Sequence, residues 1–282
     1  MNQDIVAVLD AQAAGSVVWW SLAGCAQHAQ LAEAWRRWGV VALRLPGPTS
    51  PEVALHRAVQ AQLDKHRLVR RLGKGWAIVD EQEHAQDGLK YKVELQVSLN
   101  EVGRPTFKIP DEHARKIADE VTARFVTELD LLDTSDLSKT LVDGLTALRA
   151  LCLRERGGAY FVPREGVPEW RKIVGAINEA NPGTRVSEIP ALRSNEAVAA
   201  ILESLSDEVH AETVNMTNEL TSLGKRGLIS RQGRCKELLG KVTLYEKLLG
   251  QKMCALAERV ESLKAEIASA ILRASSEAQE DY

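Results

Sequence analysis

The sequence predicts a helix-dominated α+β fold that ends in a long antiparallel helical hairpin of coiled-coil type. Residues 89–99 alternate apolar and polar side chains, which is the period of a strand with one buried and one solvated face. Apolar residues recur every three, four or seven positions between residues 198 and 271, which is typical of helices packed side by side. Glycine and proline residues bound a short strand–helix–strand unit at 157–190.

The composition indicates a globular chain with a core and no dominant charge. Of the 282 residues, 45% are hydrophobic and 27% charged, and the formal net charge is -3. This length predicts about two domains. The charge argues against a protein coated all over in nucleic acid, although it leaves local basic patches open. No secretory signal and no run of about 18 apolar residues is present, so we expect a cytoplasmic protein without membrane association.

The N-terminal elements are predicted to alternate between strand and helix. Residues 17–20 read as a short buried strand, and residues 26–38 place their apolar side chains at helical spacing. The segment 50–72 is expected to be a helix, because it opens with a serine cap, a proline in the first turn and a glutamate near the helix N-terminus.

The strand at 89–99 is expected to belong to an antiparallel sheet, since one of its faces is apolar and the other polar. Its predicted partners are residues 76–80, across a turn, and residues 106–109. A helix is predicted to follow over residues 110–132, where proline and two acidic residues mark its start.

The middle of the chain is predicted to hold a helix and a small β-α-β unit. Ser135 begins a helix that we expect to reach Arg154, where a glycine pair stops it. The unit then consists of a strand at 159–162, a helix at 168–180 and a strand at 185–189. A unit of this size is too small to fold alone, so we expect it to pack on its neighbours.

Two helices are predicted after residue 195, separated by the polar segment 224–227. They would have about 29 and about 43 residues, so the second would extend about 20 Å beyond the first and need another partner there. The step from Leu249 to Met253 departs from the seven-residue repeat and predicts a small shift in register. The predicted seam, meaning the apolar stripe between the helices, comprises Leu202, Leu205, Val209, Leu220, Leu238, Val242, Tyr245, Leu249, Leu256, Val260, Leu263 and Ile267.

These elements predict four parts of the chain. An N-terminal α+β domain is expected at 1–132, and a helix plus the small β-α-β unit at 133–193. The coiled-coil hairpin is expected at 194–274, followed by a flexible tail at 275–282.

No local motif for catalysis, cofactor binding or metal binding is present. Gly73-Lys74-Gly75 lacks the spacing of a phosphate-binding loop, and there is no H-E-x-x-H, G-x-S-x-G or kinase signature. The four cysteines form no C-x-x-C, and the six histidines form no H-x-x-x-H pair. We therefore expect a non-enzymatic protein without cofactor or metal. An enzyme whose catalytic residues are dispersed along the chain stays open, because such residues converge only in space.

Two basic clusters are the candidate sites for nucleic acid. The first lies at the end of the predicted helix 50–72 beside Trp76, which would be available to stack on a base. The tip cluster lies where the two C-terminal helices meet. In each case the simpler interpretation is a set of solvated cations, or cations at a helix C-terminus. The first cluster comprises Lys65, Arg67, Arg70, Arg71 and Lys74, and the tip cluster comprises Lys225, Arg226, Arg231, Arg234 and Lys236.

Four segments together resemble an uncharacterised family of phage and prokaryotic proteins. They are the proline-bounded helix start at 45–58, the alternating strand at 91–95, the GGAYFVP segment at 157–163, and the segment 230–250 that ends in LYEKLLG. The resemblance extends over about residues 40–272. It implies a phage or mobile-element setting and an α+β body with a C-terminal coiled coil, and it implies no activity.

Two functions of different classes follow as expectations. The first is a structural or adaptor protein in a phage, mobile-element or defence setting, which assembles with itself or with a protein partner through the coiled coil. The alternative is a protein that binds DNA or RNA through the two basic clusters, with an affinity that falls steeply as salt increases.

Overall fold

The computed structural model describes residues 13–64, 67–84, 88–154 and 157–280. The protein is 57% helical, with eight helices and antiparallel sheets in the described part of the chain, which confirms the helix-dominated α+β class. The helices are α1 His28–Trp38, α2 Pro51–Gln60, α3 Glu112–Leu129, α4 Thr134–Ala147, α5 Val167–Ala180, α6 Asn195–Glu219, α7 Lys225–Leu249 and α8 Cys254–Glu280.

The strands of the described residues form three antiparallel sheets. A central sheet has the order β10-β1-β9-β8, a small sheet pairs β2 with β7, and a third sheet has the order β3-β4-β5-β6. The strands are β1 Ala13–Ser21, β2 Ala26–Gln27, β3 Arg67–Leu72, β4 Gly75–His84, β5 Gly88–Leu99, β6 Pro105–Lys108, β7 Leu131–Leu132, β8 Leu151–Cys152, β9 Tyr160–Pro163 and β10 Arg185–Leu192.

The central sheet completes the predicted strand–helix–strand unit with a strand from the other end of the chain. β1 lies between β9 and β10 and pairs antiparallel with both of them. Gly15 is required in β1, because a Cβ atom there would lie 2.1 Å from the carbonyl oxygen of Val162 in β9. The N-terminal strand therefore approaches β9 too closely for any side chain at this position.

The two faces of the central sheet belong to different hydrophobic cores. Val18 and Val162 face one core, which is built with α1, α4 and α5. Ala14 and Phe161 point to the opposite face, where they pack against the C-terminal helices. In β9 this alternation follows from the two-residue strand period, and in β1 a register shift at the start of the strand turns Ala14 away from the face of Val18. The central sheet is therefore the layer that joins both cores.

Helices α2 and α3 and strands β3 to β6 form a separate lobe with its own core. The predicted pairing of the alternating strand is confirmed, because β5 pairs with β4 on one side and with β6 on the other. The predicted helix 50–72 is wrong beyond Gln60, where α2 ends. The Asp64 side chain accepts a hydrogen bond of 2.8 Å from the Arg67 backbone nitrogen, and the chain continues from there as β3.

The helix predicted to reach Arg154 ends at Ala147 instead. Arg149 has a φ of 56°, and the next backbone nitrogen, that of Ala150, donates to the carbonyl oxygen of Leu145 at 2.9 Å. This is a helix C-terminal motif with one left-handed residue, which stops the helix and turns the chain into β8.

The C-terminal region contains three helices where two were predicted. Gly250 has a φ of 69° and ends α7, and the Glu246 carboxylate accepts a hydrogen bond of 2.7 Å from the Met253 backbone nitrogen before α8 begins. α8 then packs on both α6 and α7. The prediction of a single 43-residue helix that extends beyond its partner is therefore wrong. The chain reverses between α7 and α8, where the sequence predicted only a shift in register.

The predicted seam is filled within this one chain. All twelve of its side chains pack in the core that also contains Ala14 and Phe161 of the central sheet. Eight of them are buried and four are half-buried, the latter being Leu202, Leu220, Leu249 and Leu256.

Candidate nucleic-acid interface

The first basic cluster lies on an edge strand of the lobe and on the turn that follows it. Arg67, Arg70 and Arg71 belong to β3, and Lys74 lies in the β3–β4 turn. Lys65 lies outside the described residues. The expectation that these cations close a helix is wrong, because β3 is extended and its residues alternate between the two faces of the sheet.

Arg67 is committed to the interior of the lobe. Its Nε atom donates to Glu94 at 2.8 Å, and the same carboxylate lies 3.2 Å from Nε2 of His113 on α3. The Arg67 side chain is 22% exposed and that of Glu94 is 11% exposed. Arg67 therefore holds β3 and β5 to α3 and is not available to a phosphate.

Trp76 does not offer a stacking surface, because it is buried in the lobe core with 6% of its surface exposed. The ring of His56 on α2 stacks on it at a centroid distance of 5.8 Å. The guanidinium carbon of Arg71 lies 5.0 Å from the Trp76 ring centroid. The prediction that Trp76 could receive a base is thus wrong, and Arg71 acts as part of its cover.

The open face of the lobe sheet carries the cations that remain. Strand registers place Arg70, Ala77, Gln96 and Lys108 in one row across the four strands. With strands about 4.8 Å apart, Arg70 and Lys108 are separated by about 14 Å at the backbone. Both side chains are exposed, and Gln96 lies half-buried between them. The row therefore places one cation on each edge strand, with the buried Ala77 and the half-buried Gln96 between them.

Two further cations extend this row at one end of the sheet. The β3–β4 turn and the β5–β6 turn lie at the same end, and they carry Lys74 and Arg104. Both side chains are exposed. We call Arg70, Lys74, Arg104 and Lys108 the basic face. Within the part of the chain that the structure describes, none of these four cations has a carboxylate within 4.0 Å.

Sequence reasoning found two members of the basic face and missed the other two. Arg104 and Lys108 lie more than 30 positions from Arg70 in the sequence. The alternating pattern of β5 predicted its neighbours but not the register between them, and only the register places Lys108 in the same row as Arg70.

Two of the five cations of the tip cluster are paired with acidic residues of α6 and α7. Arg231 lies 2.6 Å from Glu219, and Arg234 lies 3.0 Å from both Glu212 and Glu237. The hydrogen bond to Glu212 raises the pKa of Arg234 above its ordinary value, which keeps the guanidinium charged. The remaining cations of this cluster are exposed, and they are Lys225, Arg226 and Lys236.

The two basic clusters do not form one surface. The first belongs to the lobe, and the tip cluster belongs to the C-terminal helices and their core.

Among the described residues, no group of three His, Cys, Asp or Glu side chains could hold a metal ion. Across the same residues, no helix combines the length and apolar character needed to cross a membrane.

Comparison with known proteins assigns the chain to a family. No curated protein and no solved structure matches this chain. A sequence model for a family of unknown function, DUF6744, matches residues 14–277, which extends from β1 into α8. The chain therefore belongs to the DUF6744 family.

Proposed function

We propose that this protein binds nucleic acid through the basic face of the lobe sheet, as a non-enzymatic protein of the cytoplasm. The observation that carries the proposal is the set of four exposed cations without carboxylate partners at one end of an open sheet face. Cations that are already paired with acids gain little from a phosphate, because the existing ion pair must be broken first. The basic face has no such competitor among the described residues.

The side chains between the cations suit a phosphate backbone. Gln96, Ser98 and Thr106 lie on the same face of β5 and β6 as Lys108. Gln96 provides an amide donor, whereas the hydroxyls of Ser98 and Thr106 are hydrogen-bonded to each other, 3.1 Å apart, and offer their oxygens as polar groups. Such groups, together with Arg and Lys, make most protein contacts to phosphate and sugar, and they carry no sequence information. The surface therefore favours binding that is independent of base sequence and sensitive to salt.

The test is fluorescence anisotropy with a labelled 20-nucleotide single strand and the corresponding duplex. Four phosphate contacts would make the logarithm of the binding constant fall with the logarithm of the salt concentration with a slope of about -3. Reversing two charges, with Arg70→Glu and Lys108→Glu together, is expected to weaken binding by at least about tenfold.

A matched control reverses two exposed charges of the tip cluster, with Lys225→Glu and Arg226→Glu together. This variant is expected to bind like the wild type. Loss of binding in the control alone would move the interface to the helix tip. No binding by the wild-type protein at low salt would rule out the proposed function.

A second candidate function is assembly through the C-terminal helices, and one groove favours it. The groove has a volume of about 850 Å³ and lies where α6, α7 and α8 come together near the 220–224 turn. Leu220 and Leu223 line it, and the facing side of α8 offers the small residues Ala265, Ser269 and Ala270. Small residues allow a further helix to approach closely, so a helix from a second copy is the occupant proposed here. The phage or mobile-element setting belongs to this proposal.

Light scattering coupled to size-exclusion chromatography tests assembly. A dimer that becomes a monomer with Ala270→Glu would support it. A monomer at all concentrations of wild-type protein would eliminate the groove as a self-assembly site.

A further inference from the structure

A second site lies where the C-terminal helices meet the end of α4 and the edge of the central sheet. A cavity of about 590 Å³ opens there, within the range of small-molecule pockets. Its apolar wall includes Val142, Leu145 and Leu238, and its polar wall consists of charged residues from α6 and α7 together with Arg149.

Arg149 occupies a backbone position that normally favours glycine. Its φ of 56° is left-handed, and it stands immediately after the end of α4, where glycine is the usual residue. A side chain at this position strains the backbone. An arginine at such a strained position points to a use for its side chain.

Two side chains of α7 hold this strained turn. The Tyr245 hydroxyl donates to the carbonyl oxygen of Arg149 at 3.0 Å, and Nζ of Lys241 donates to the carbonyl oxygen of Ala150 at 2.7 Å. The Arg149 guanidinium donates to the carbonyl oxygen of Gly240 at 3.2 Å, which fixes it beside the cavity. Among the described residues it has no carboxylate within 4.0 Å.

The other charged residues of the cavity are paired, but unequally. Lys241 lies 2.7 Å from Glu208, which is one cation to one acid. Arg234 is shared by Glu212 and Glu237, each at 3.0 Å, which is one cation to two acids. The cavity therefore has one positive charge without a partner, that of Arg149. It also has one negative charge in excess, because Glu212 and Glu237 share the single cation of Arg234.

We propose that this cavity binds a small zwitterion of the α-amino-acid type, with its carboxylate on Arg149 and its ammonium on Glu237. A simple anion would meet the carboxylates of α6 and α7, and a simple cation would meet Arg149. Only a molecule with both charges matches both the unpaired guanidinium of Arg149 and the second carboxylate that shares Arg234. Glu237 is accessible for this role, because its side chain is 69% exposed.

The test measures binding of each of the twenty proteinogenic L-amino acids, by thermal shift at about 10 mM and then by calorimetry for those that raise Tm. Arg149→Gly is the informative variant, since glycine relieves the backbone strain while the guanidinium is lost. We expect its Tm to stay within about 3 °C of the wild-type value and its affinity to fall at least about tenfold. Arg193→Gly, which removes an exposed arginine away from the cavity, is expected to bind like the wild type.

Glu237→Gln separates a zwitterion from an anion. A loss of affinity in this variant as well as in Arg149→Gly would support the proposal. Unchanged affinity in Glu237→Gln would overturn it in favour of a simple anion site. Absence of binding by any of the twenty amino acids, or full binding by Arg149→Gly, would also overturn it. None of these results depends on nucleic-acid binding.

Discussion

At the scale of single residues, Arg57 connects the lobe to the rest of the molecule. It lies on α2, and its Nη2 atom contacts Asp133 at 2.6 Å and Asp136 at 3.1 Å at the start of α4. The two aspartates also cap α4, because each accepts a hydrogen bond from the backbone nitrogen at the other's position. One guanidinium thus stabilises a helix start and the contact between two cores.

We expect Arg57→Ala to lower the free energy of unfolding by about 1–2 kcal/mol, since the three side chains are partly exposed and solvent weakens their attraction. Arg57→Lys keeps the charge, so its free energy of unfolding is expected to fall less than that of Arg57→Ala. Urea denaturation measures both. Equal stability of wild type and Arg57→Ala would show that the ion pairs contribute nothing.

Tyr245 is expected to contribute to the stability of the fold in a way that depends on pH. Burial raises the pKa of its hydroxyl above the ordinary value, and the hydroxyl donates to Arg149. Near neutral pH, Tyr245→Phe is expected to lose about 1 kcal/mol because the Arg149 carbonyl loses its donor.

The sign of the pH dependence follows from the raised pKa. In the unfolded chain the tyrosine loses its proton near pH 10, whereas in the folded chain it keeps it. The stability that it contributes is therefore complete below pH 10 and decreases above it. Denaturation of wild type and Tyr245→Phe at pH 8 and pH 11 should show the difference between them shrinking. A constant difference would contradict the raised pKa.

At the scale of elements, two glycines of the C-terminal helices should respond oppositely to the same substitution. Gly250 ends α7 with a φ of 69°, so an alanine there would be strained. Gly233 is exposed inside α7 with open space around it. We expect Gly250→Ala to lower the free energy of unfolding by about 1 kcal/mol and Gly233→Ala to raise it by about 0.5–1 kcal/mol. Thermal unfolding measures both changes. Two changes of the same sign would contradict the assignment of the helix end at Gly250.

The sequence predicted element types better than element ends. The alternating strand β5 and its partners were predicted because a two-residue period has a single structural meaning. The reversal at Gly250 was missed because α7 and α8 both continue the same apolar repeat. The end of α4 was missed because an arginine stands where glycine would have marked it.

The candidate sites depend on contacts that a sequence does not contain. Arg70 and Lys74 were found from their local density of charge, but their freedom from acids follows only from three-dimensional pairing. Arg231 and Arg234 had equal density and turned out to face acids of α6. The cavity at Arg149 joins residues about 90 positions apart, so no local motif could indicate it.

At the scale of the whole molecule, the lobe and the remaining structure should differ in stability. The cores on both faces of the central sheet share that sheet, so they are expected to unfold together. The lobe has a core of its own on only one face of its sheet. We expect hydrogen exchange to show lower protection in β4 and β5 than in β1 and β9. Arg57→Ala should lower protection in the lobe strands alone, and equal protection throughout would indicate one cooperative unit.

The position of β1 has a consequence for how the chain folds during synthesis. Its partners β9 and β10 lie about 140 to 180 residues later, so the central sheet cannot be complete until residue 192 has left the ribosome. At 5–20 residues per second, β1 waits roughly 10–30 s without a partner. The lobe, whose elements lie between residues 51 and 129, is complete well before then. The newborn chain is therefore expected to carry β1 as an unpaired apolar strand, which makes chaperone contact most valuable at this stage.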